Sequence, residues 1–200
     1  MQTGVGPASP EGNVFRSPFP DVVVPDASFT EFVLARAGEL GEKPALIDGP
    51  SGRVIPYAGL AEAVRRTAAG LAARGLRKGD VFAIYSPNLP EYAVAVHAVA
   101  SLGGVITTAN PLYTGAELAS QLSDAGARYL LTAVPPFLEA AREAAVEARV
   151  EEVFVFGEAD GATPFAALVG DGRMPGVRIK PFEDLLFLPY SSGTTGRPKG

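Results

Sequence analysis

Val81-Phe82-Ala83-Ile84-Tyr85, the loop Ser86-Pro87-Asn88-Leu89-Pro90, an apolar run from Glu91 to Leu102, Gly103-Gly104, and then Val105-Ile106-Thr107-Thr108: this stretch decides the fold. The first five residues are continuously apolar and include β-branched and aromatic side chains, the pattern of a strand buried on both faces. Two prolines interrupt the chain in the loop that follows. The next run is too long for a strand and apolar almost all round, so it predicts a buried helix. Gly103-Gly104 ends that helix, and a second apolar strand follows.

The rhythm continues downstream. Thr114-Gly115-Ala116-Glu117 has the form of a capping box and opens a helix to about Ser123. Tyr129 to Thr132 reads as a strand, Phe137 to about Arg149 as a helix, and Val153 to Phe156 as a strand. Near-continuously apolar strands alternating with helices predict an α/β fold, a mostly parallel sheet flanked by helices on both faces.

Upstream, Ser28-Phe29-Thr30-Glu31 is another capping box, with Phe32, Val33 and Leu40 following at roughly helical spacing. Ala45 to Asp48 and Val54 to Pro56 read as hairpin strands around Gly49-Pro50-Ser51-Gly52. Tyr57 to Arg74 is an amphipathic helix with Leu60, Val64, Ala68 and Leu71 as its apolar stripe. Residues 1–27 carry five prolines and three glycines. They predict an extended or flexible arm, with Phe15, Phe19 and Val22 to Val24 packing along the body. Residues 157–184 read as an irregular surface connection with a weak helical stretch from Pro164 to Val169. Leu185 to Tyr190 then reads as a short buried strand.

Composition narrows the function. The 200 residues are 47% apolar and 20% charged, with a net charge of -5. That balance gives no electrostatic support for nucleic-acid binding. Without cysteine there is no disulfide, thiolate metal site or cysteine nucleophile. One histidine, His97, rules out a multi-histidine metal site. No basic cluster followed by an apolar run opens the sequence, and no apolar run reaches membrane-spanning length. A cytoplasmic location is expected.

The chemistry is concentrated in Ser191-Ser192-Gly193-Thr194-Thr195-Gly196-Arg197-Pro198-Lys199-Gly200. Four hydroxyls, three glycines and two cations stand there with no apolar side chain. Backbone N–H groups of a Gly-rich stretch leaving a strand converge readily on an anion, and a phosphate chain is the natural ligand. The spacing is neither G-x-x-x-x-G-K-[ST] nor G-x-G-x-x-G. Taken by composition alone, the same residues would pass for a linker.

Leu188 to Gly200 closely resembles the signature of adenylate-forming enzymes: acyl-CoA synthetases, 4-coumarate–CoA ligases, luciferases and peptide-synthetase adenylation domains. The Leu-Pro-Tyr-Ser-Ser lead-in is most similar to the 4-coumarate–CoA ligase branch. Leu76 to Val81 with Ser86-Pro87-Asn88 and Glu91, and Gly103-Gly104-Val105 with Asn110 to Tyr113 and Glu117-Leu118, resemble earlier blocks of the family. The resemblance covers about residues 28–200 as the N-terminal part of an AMP-binding domain. It implies an ATP-dependent, AMP-forming acid–thiol ligase acting on a small-molecule carboxylic acid, with Mg2+ and coenzyme A. Ser191, Ser192, Gly193, Thr194, Thr195, Gly196 and Lys199 would form the cofactor-binding set, with Mg2+ bridging phosphate oxygens. No catalytic residue and no protein metal ligand is assigned. The family's adenine and acyl pockets and its mobile C-terminal domain would follow Gly200, so these 200 residues are expected to be an N-terminal fragment that does not turn over alone. Two alternatives stay open, an adenylation domain loading a carrier protein and a non-catalytic folding or interaction module. A homo-oligomer also stays open.

Other candidates have plainer readings. His97 is expected to be a packed, hydrogen-bonded core or groove histidine. Asn110, Pro111 and Tyr113 should shape a turn, and Asp80 and Glu91 should serve as turn and cap residues. Arg65, Arg66, Arg74, Arg77 and Lys78 should form a solvated face.

Overall fold

The computed structural model describes residues 17–170, 172–191 and 200. Its first helix, α1 (Phe29–Leu34), is capped as the sequence predicts. The Ser28 hydroxyl accepts the Glu31 N–H at 3.4 Å, and the Glu31 carboxylate accepts the Ser28 N–H at 3.0 Å. A second short helix, α2 (Ala37–Leu40), ends at Gly41. The hairpin β1 (Pro44–Ile47) and β2 (Val54–Pro56) is antiparallel, and Gly52 supplies the positive φ of +70° its turn needs. Helix α3 (Tyr57–Ala73) buries Leu60, Val64, Ala68 and Leu71, the stripe read from its periodicity.

The strand–helix rhythm then builds the body: β3 (Val81–Tyr85), α4 (Pro90–Ser101), β4 (Val105–Ala109), α5 (Gly115–Ala125), β5 (Ala127–Ala133), α6 (Phe137–Glu147), β6 (Glu152–Phe156) and β7 (Thr163–Pro164). The five strands β3 to β7 form one parallel sheet in the order β4-β3-β5-β6-β7. β3 comes first in sequence but lies inside the sheet. The chain adds β4 on one side of it, then crosses back to add β5 on the other.

Alternation along β3 divides the core into two layers. Phe82 and Ile84 face α3 and α4 and pack with Leu71, Val94, Val99, Ile106 and Phe154. Ala83 and Tyr85 face α5 and α6 and pack with Leu118, Leu122, Ala141 and Ala145. Phe82, Ala83 and Ile84 have no exposed surface at all. Both faces are therefore covered, as an uninterrupted apolar strand requires.

The structure corrects several expectations. Phe19, Val22 and Val23 do not pack along the body; they are 77%, 86% and 89% exposed. Val24 and Pro25 do reach a groove beside Phe29 and Phe32. Phe15 lies outside the described residues. Residues 157–184 are not all surface connection. β7 extends the sheet in parallel beside β6, and a 3-10 turn at Phe165–Leu168 buries both Phe165 and Leu168. The arginine and lysine face is not merely solvated. Arg65 pairs with Glu62, and the Arg66 side chain reaches the Gly170 carbonyl at 3.5 Å. Arg74 pairs with Glu152 and lies over the Phe154 ring, Arg77 donates to the Ala72 carbonyl, and Lys78 pairs with Asp184 at 2.5 Å.

Gly70 explains the placement of the 3-10 turn. It sits in the middle of α3, where glycine costs helix stability. A Cβ at this position would lie 1.7 Å from the Leu168 carbonyl oxygen. The helix and the turn thus meet backbone to backbone, which only the absence of a side chain allows. Gly70→Ala should lower the stability of this chain by at least about 2 kcal/mol despite its better helix propensity. Thermal unfolding followed by circular dichroism reads this as a Tm drop of about 6 °C; an unchanged or raised Tm would show that the contact is not rigid.

His97 docks α1 onto α4. It is 8% exposed and stacks on Phe29 with ring centroids 5.0 Å apart. Its Nδ1 lies 3.1 Å from Thr30 Oγ1, which also donates to the His97 carbonyl at 3.2 Å. A hydroxyl has one hydrogen, so both contacts form together when Nδ1–H is the donor to Thr30. This is the packed histidine the sequence suggested. Burial pushes its imidazole below the usual range. The unfolded chain then takes up a proton near pH 6.5 while the folded chain resists it, so stability falls as pH drops below about 6.5. Unfolding between pH 5 and 7, above the range where carboxylates titrate, should show this loss, and His97→Gln should flatten it. A flat profile in the parent chain would count against burial as the cause.

Candidate functional site

β4 is an edge strand of the named sheet, but the chain returns to it. Leu186 to Leu188 runs parallel to β4, with Phe187 bridged to Ile106. Ile106 N–H donates to the Leu186 carbonyl at 2.8 Å, and Leu188 N–H donates to the Ile106 carbonyl at 2.9 Å. The segment read as a buried strand is therefore a single bridge on the sheet's rim. Leu185 is 55% exposed and Phe187 37%. Apolarity signalled the strand but not its exposure, because an outermost segment has a neighbour on one side only.

The parallel direction points the chain toward the carboxyl end of β4. In open α/β sheets, ligands bind outside the carboxyl ends of the strands, where the strand order reverses. Here the reversal lies around β3. Ser86, Pro87, Asn88, Tyr92, Thr108 and Asn110 line a shallow depression at the carboxyl ends of β3 and β4. Asn110 shapes its rim as a turn: its carboxamide oxygen accepts the Leu112 N–H at 3.0 Å, and its carbonyl accepts the Tyr113 N–H at 3.0 Å.

Tyr190 fixes the approach. Its hydroxyl donates to the Asp124 carboxylate on α5 at 2.5 Å. Burial, then the hydrogen bond to Asp124 and its charge, push the phenol up to about 12. The ring therefore stays protonated and remains a donor. Gly200 returns to the same ring, since a Cβ there would meet ring atoms at 2.7 Å. Both described flanks of the Ser/Thr/Gly-rich stretch thus meet at Tyr190. Of the predicted site residues, Ser191 is described and exposed. Ser192, Gly193, Thr194, Thr195, Gly196 and Lys199 lie outside the described residues.

The other candidates sit elsewhere. Asp80 stands at the amino end of β3, where it accepts the Arg77 N–H at 2.7 Å and pairs with Arg128 at 2.7 Å. That supports the turn reading and ties the amino end of β3 to the amino end of β5. Glu91 lies in the first turn of α4 but caps nothing with its side chain; it pairs with Arg53 of the hairpin. Among the described residues no group of three or more His, Asp or Glu is placed to hold a metal ion, and no helix is long and apolar enough to cross a membrane.

Sequence reasoning missed Thr107, Gln121 and Asp124. The Thr107 hydroxyl donates to the Leu188 carbonyl at 2.8 Å, and Gln121 Nε2 donates to Thr107 Oγ1 at 2.9 Å and to the Thr108 carbonyl at 3.2 Å. The signal was present: Gln121 interrupts the buried apolar stripe of α5, between Leu118 and Leu122.

Comparison with known proteins agrees with this geometry. The family model for "AMP-binding enzyme" matches residues 34–200. Among curated relatives, 4-coumarate–CoA ligase 3 of Oryza sativa subsp. japonica is 42% identical over 195 residues, covering 96% of this chain and 35% of that protein. 4-Coumarate–CoA ligase 5 of the same plant is 40% identical over 194 residues, with the same coverage. The chain thus spans about 35% of the length of these relatives. Among solved structures, a long-chain-fatty-acid-CoA ligase from Archaeoglobus fulgidus superposes with a TM-score of 0.81 at 27% identity, over 93% of this chain and 38% of that one. The anthranilate CoA ligase AuaEII, solved with anthranoyl-AMP, shares the fold with a TM-score of 0.78 at 22% identity, over 88% of this chain and 34% of that one. With the parallel sheet, the returning edge segment and the family match over residues 34–200 all in agreement, the chain belongs to the AMP-binding enzyme family.

Proposed function

We propose that the whole protein is an ATP-dependent, AMP-forming acid–thiol ligase that activates a carboxylic acid as an acyl-adenylate and passes the acyl group to coenzyme A. The observation that carries this reading is the parallel bridge between Phe187 and Ile106. It points the chain toward the carboxyl end of the sheet, where the depression at β3 and β4 lies. In this reading residues 28–200 are the N-terminal part of the AMP-binding domain, and residues 1–27 are an arm.

The reaction has two halves. A carboxylate oxygen bonds to the α-phosphorus of ATP as the bond to the bridging oxygen breaks, and pyrophosphate leaves. The coenzyme A sulfur then bonds to the acyl carbon, AMP leaves with the electron pair, and the thiol proton goes to solvent. Such chemistry needs positioning and charge stabilisation more than a protein nucleophile. Ser191, Ser192, Gly193, Thr194, Thr195, Gly196 and Lys199 hold the β- and γ-phosphates, with hydroxyls and backbone N–H groups as donors and Lys199 as the charge. A magnesium ion, held with the phosphates beside these residues, would supply charge neutralisation.

Carboxylate-dependent exchange of pyrophosphate into ATP tests the proposal in the whole protein. Hydroxycinnamic acids should be tried first, then benzoic and fatty acids. Exchange is expected with at least one of them. Lys199→Ala should lower kcat/KM by about a hundredfold or more. A folded whole protein that exchanges with none of these acids would sink the reading.

A further inference from the structure

Among the described residues, two ladder bonds lead the chain into the stretch assigned to phosphate. Ile106 supplies the two ladder bonds, to Leu186 and from Leu188. Pro189 has no N–H to give. The next rung would bring the Thr108 N–H to the Leu188 carbonyl; among the described residues that carbonyl accepts the Thr107 hydroxyl instead. A side chain has taken over the last rung before Ser191.

That side chain is itself held. Thr107 has no exposed surface and Gln121 is 3% exposed. Gln121 Nε2 donates to Thr107 Oγ1, which leaves the Thr107 hydrogen pointing to Leu188. The second Nε2 hydrogen goes to the Thr108 carbonyl. Reversing the amide would set its oxygen against that carbonyl, so the orientation is fixed. The arrangement leaves Gln121 Oε1 buried without a partner among the described residues. An unpaired buried acceptor is costly, and a leucine in line with Leu118 and Leu122 would avoid it. Against that cost stand the two Nε2 bonds, and the one to Thr107 aims the hydroxyl that holds the Leu188 carbonyl.

We propose that Thr107 and Gln121 are positioning residues for the phosphate-holding stretch: the relay Gln121 Nε2–H to Thr107 Oγ–H to the Leu188 carbonyl sets where the chain leaves β4 and enters Ser191. The proposal rests on the ligase reading above for its effect on ATP. The relay runs from α5, and the Tyr190–Asp124 bond ties the next residues to the same helix. One helix therefore fixes the entry at two points.

The test uses the whole protein, with exchange kinetics and hydrogen exchange measured on the same variants. Thr107→Val keeps the shape and removes the donor, Gln121→Leu removes the relay's source, and Thr107→Ser keeps the hydroxyl. Thr107→Val and Gln121→Leu should each raise KM for ATP about tenfold, with KM for the acid unchanged. Thr107→Ser should restore the parental KM for ATP. Amides of Leu188, Tyr190 and Ser191 should exchange faster in the first two variants while those of β3 do not. Parental KM for ATP in Thr107→Val, or equal losses in Thr107→Val and Thr107→Ser, would overturn the proposal. Should the parent show no exchange activity with any acid, the ligase reading fails by itself. Amide exchange then decides the relay: faster exchange at Leu188 to Ser191 upholds it, and unchanged exchange refutes it.

Discussion

β3 is the constraint on which the rest depends. Its residues are sealed on both faces, and it pairs in parallel with β4 on one side and β5 on the other. A strand in that position exposes no backbone and no side chain, so it must have two neighbours and two helical layers. Phe82 and Ile84 claim α3 and α4; Ala83 and Tyr85 claim α5 and α6. Once those layers exist, the reversal of strand order around β3 follows, and with it a crevice at the carboxyl ends.

The layers differ in grain. Large rings meet on the α3 and α4 side, where Phe82, Tyr129 and Phe154 stack at about 6 Å. The α5 and α6 side is built largely from alanine, with Ala83, Ala109, Ala119, Ala127, Ala141, Ala144 and Ala145 buried. Small side chains let helices approach the sheet closely. That closeness is what brings Gln121 within reach of Thr107, and Asp124 within reach of Tyr190.

Most of the fold was legible in the sequence because burial on two faces leaves an uninterrupted apolar signature, and because Ser28/Glu31 and Thr114/Glu117 mark helix starts by chemistry. The helical stretch at Phe165–Leu168 was legible but its burial was not, since that depends on Gly70, nearly a hundred positions earlier. The rim position of Leu186 to Leu188 was hidden too: apolarity does not say how many neighbours a strand will find. For the site, the hydroxyl and glycine pattern of Ser191 to Gly200 pointed to a phosphate ligand. The side chains that steer the chain toward it, Thr107, Gln121 and Asp124, are ordinary residue types whose meaning arises only from contact. Glu91, Arg74 and Lys78 misled for a similar reason, because their partners Arg53, Glu152 and Asp184 are remote in sequence.

The bridge at Phe187 also has a kinetic side. Thr107 and Leu188 are 81 residues apart, whereas β3 reaches β4 through a single helical crossover. Closing the longer loop costs more chain entropy, and this closure secures only a few bonds on an exposed rim. The rim segment is therefore among the last parts to dock as the chain folds and among the first to lift off from the native state. The entry to the stretch assigned to phosphate thus rests on a rim segment that opens more readily than the sheet's interior strands.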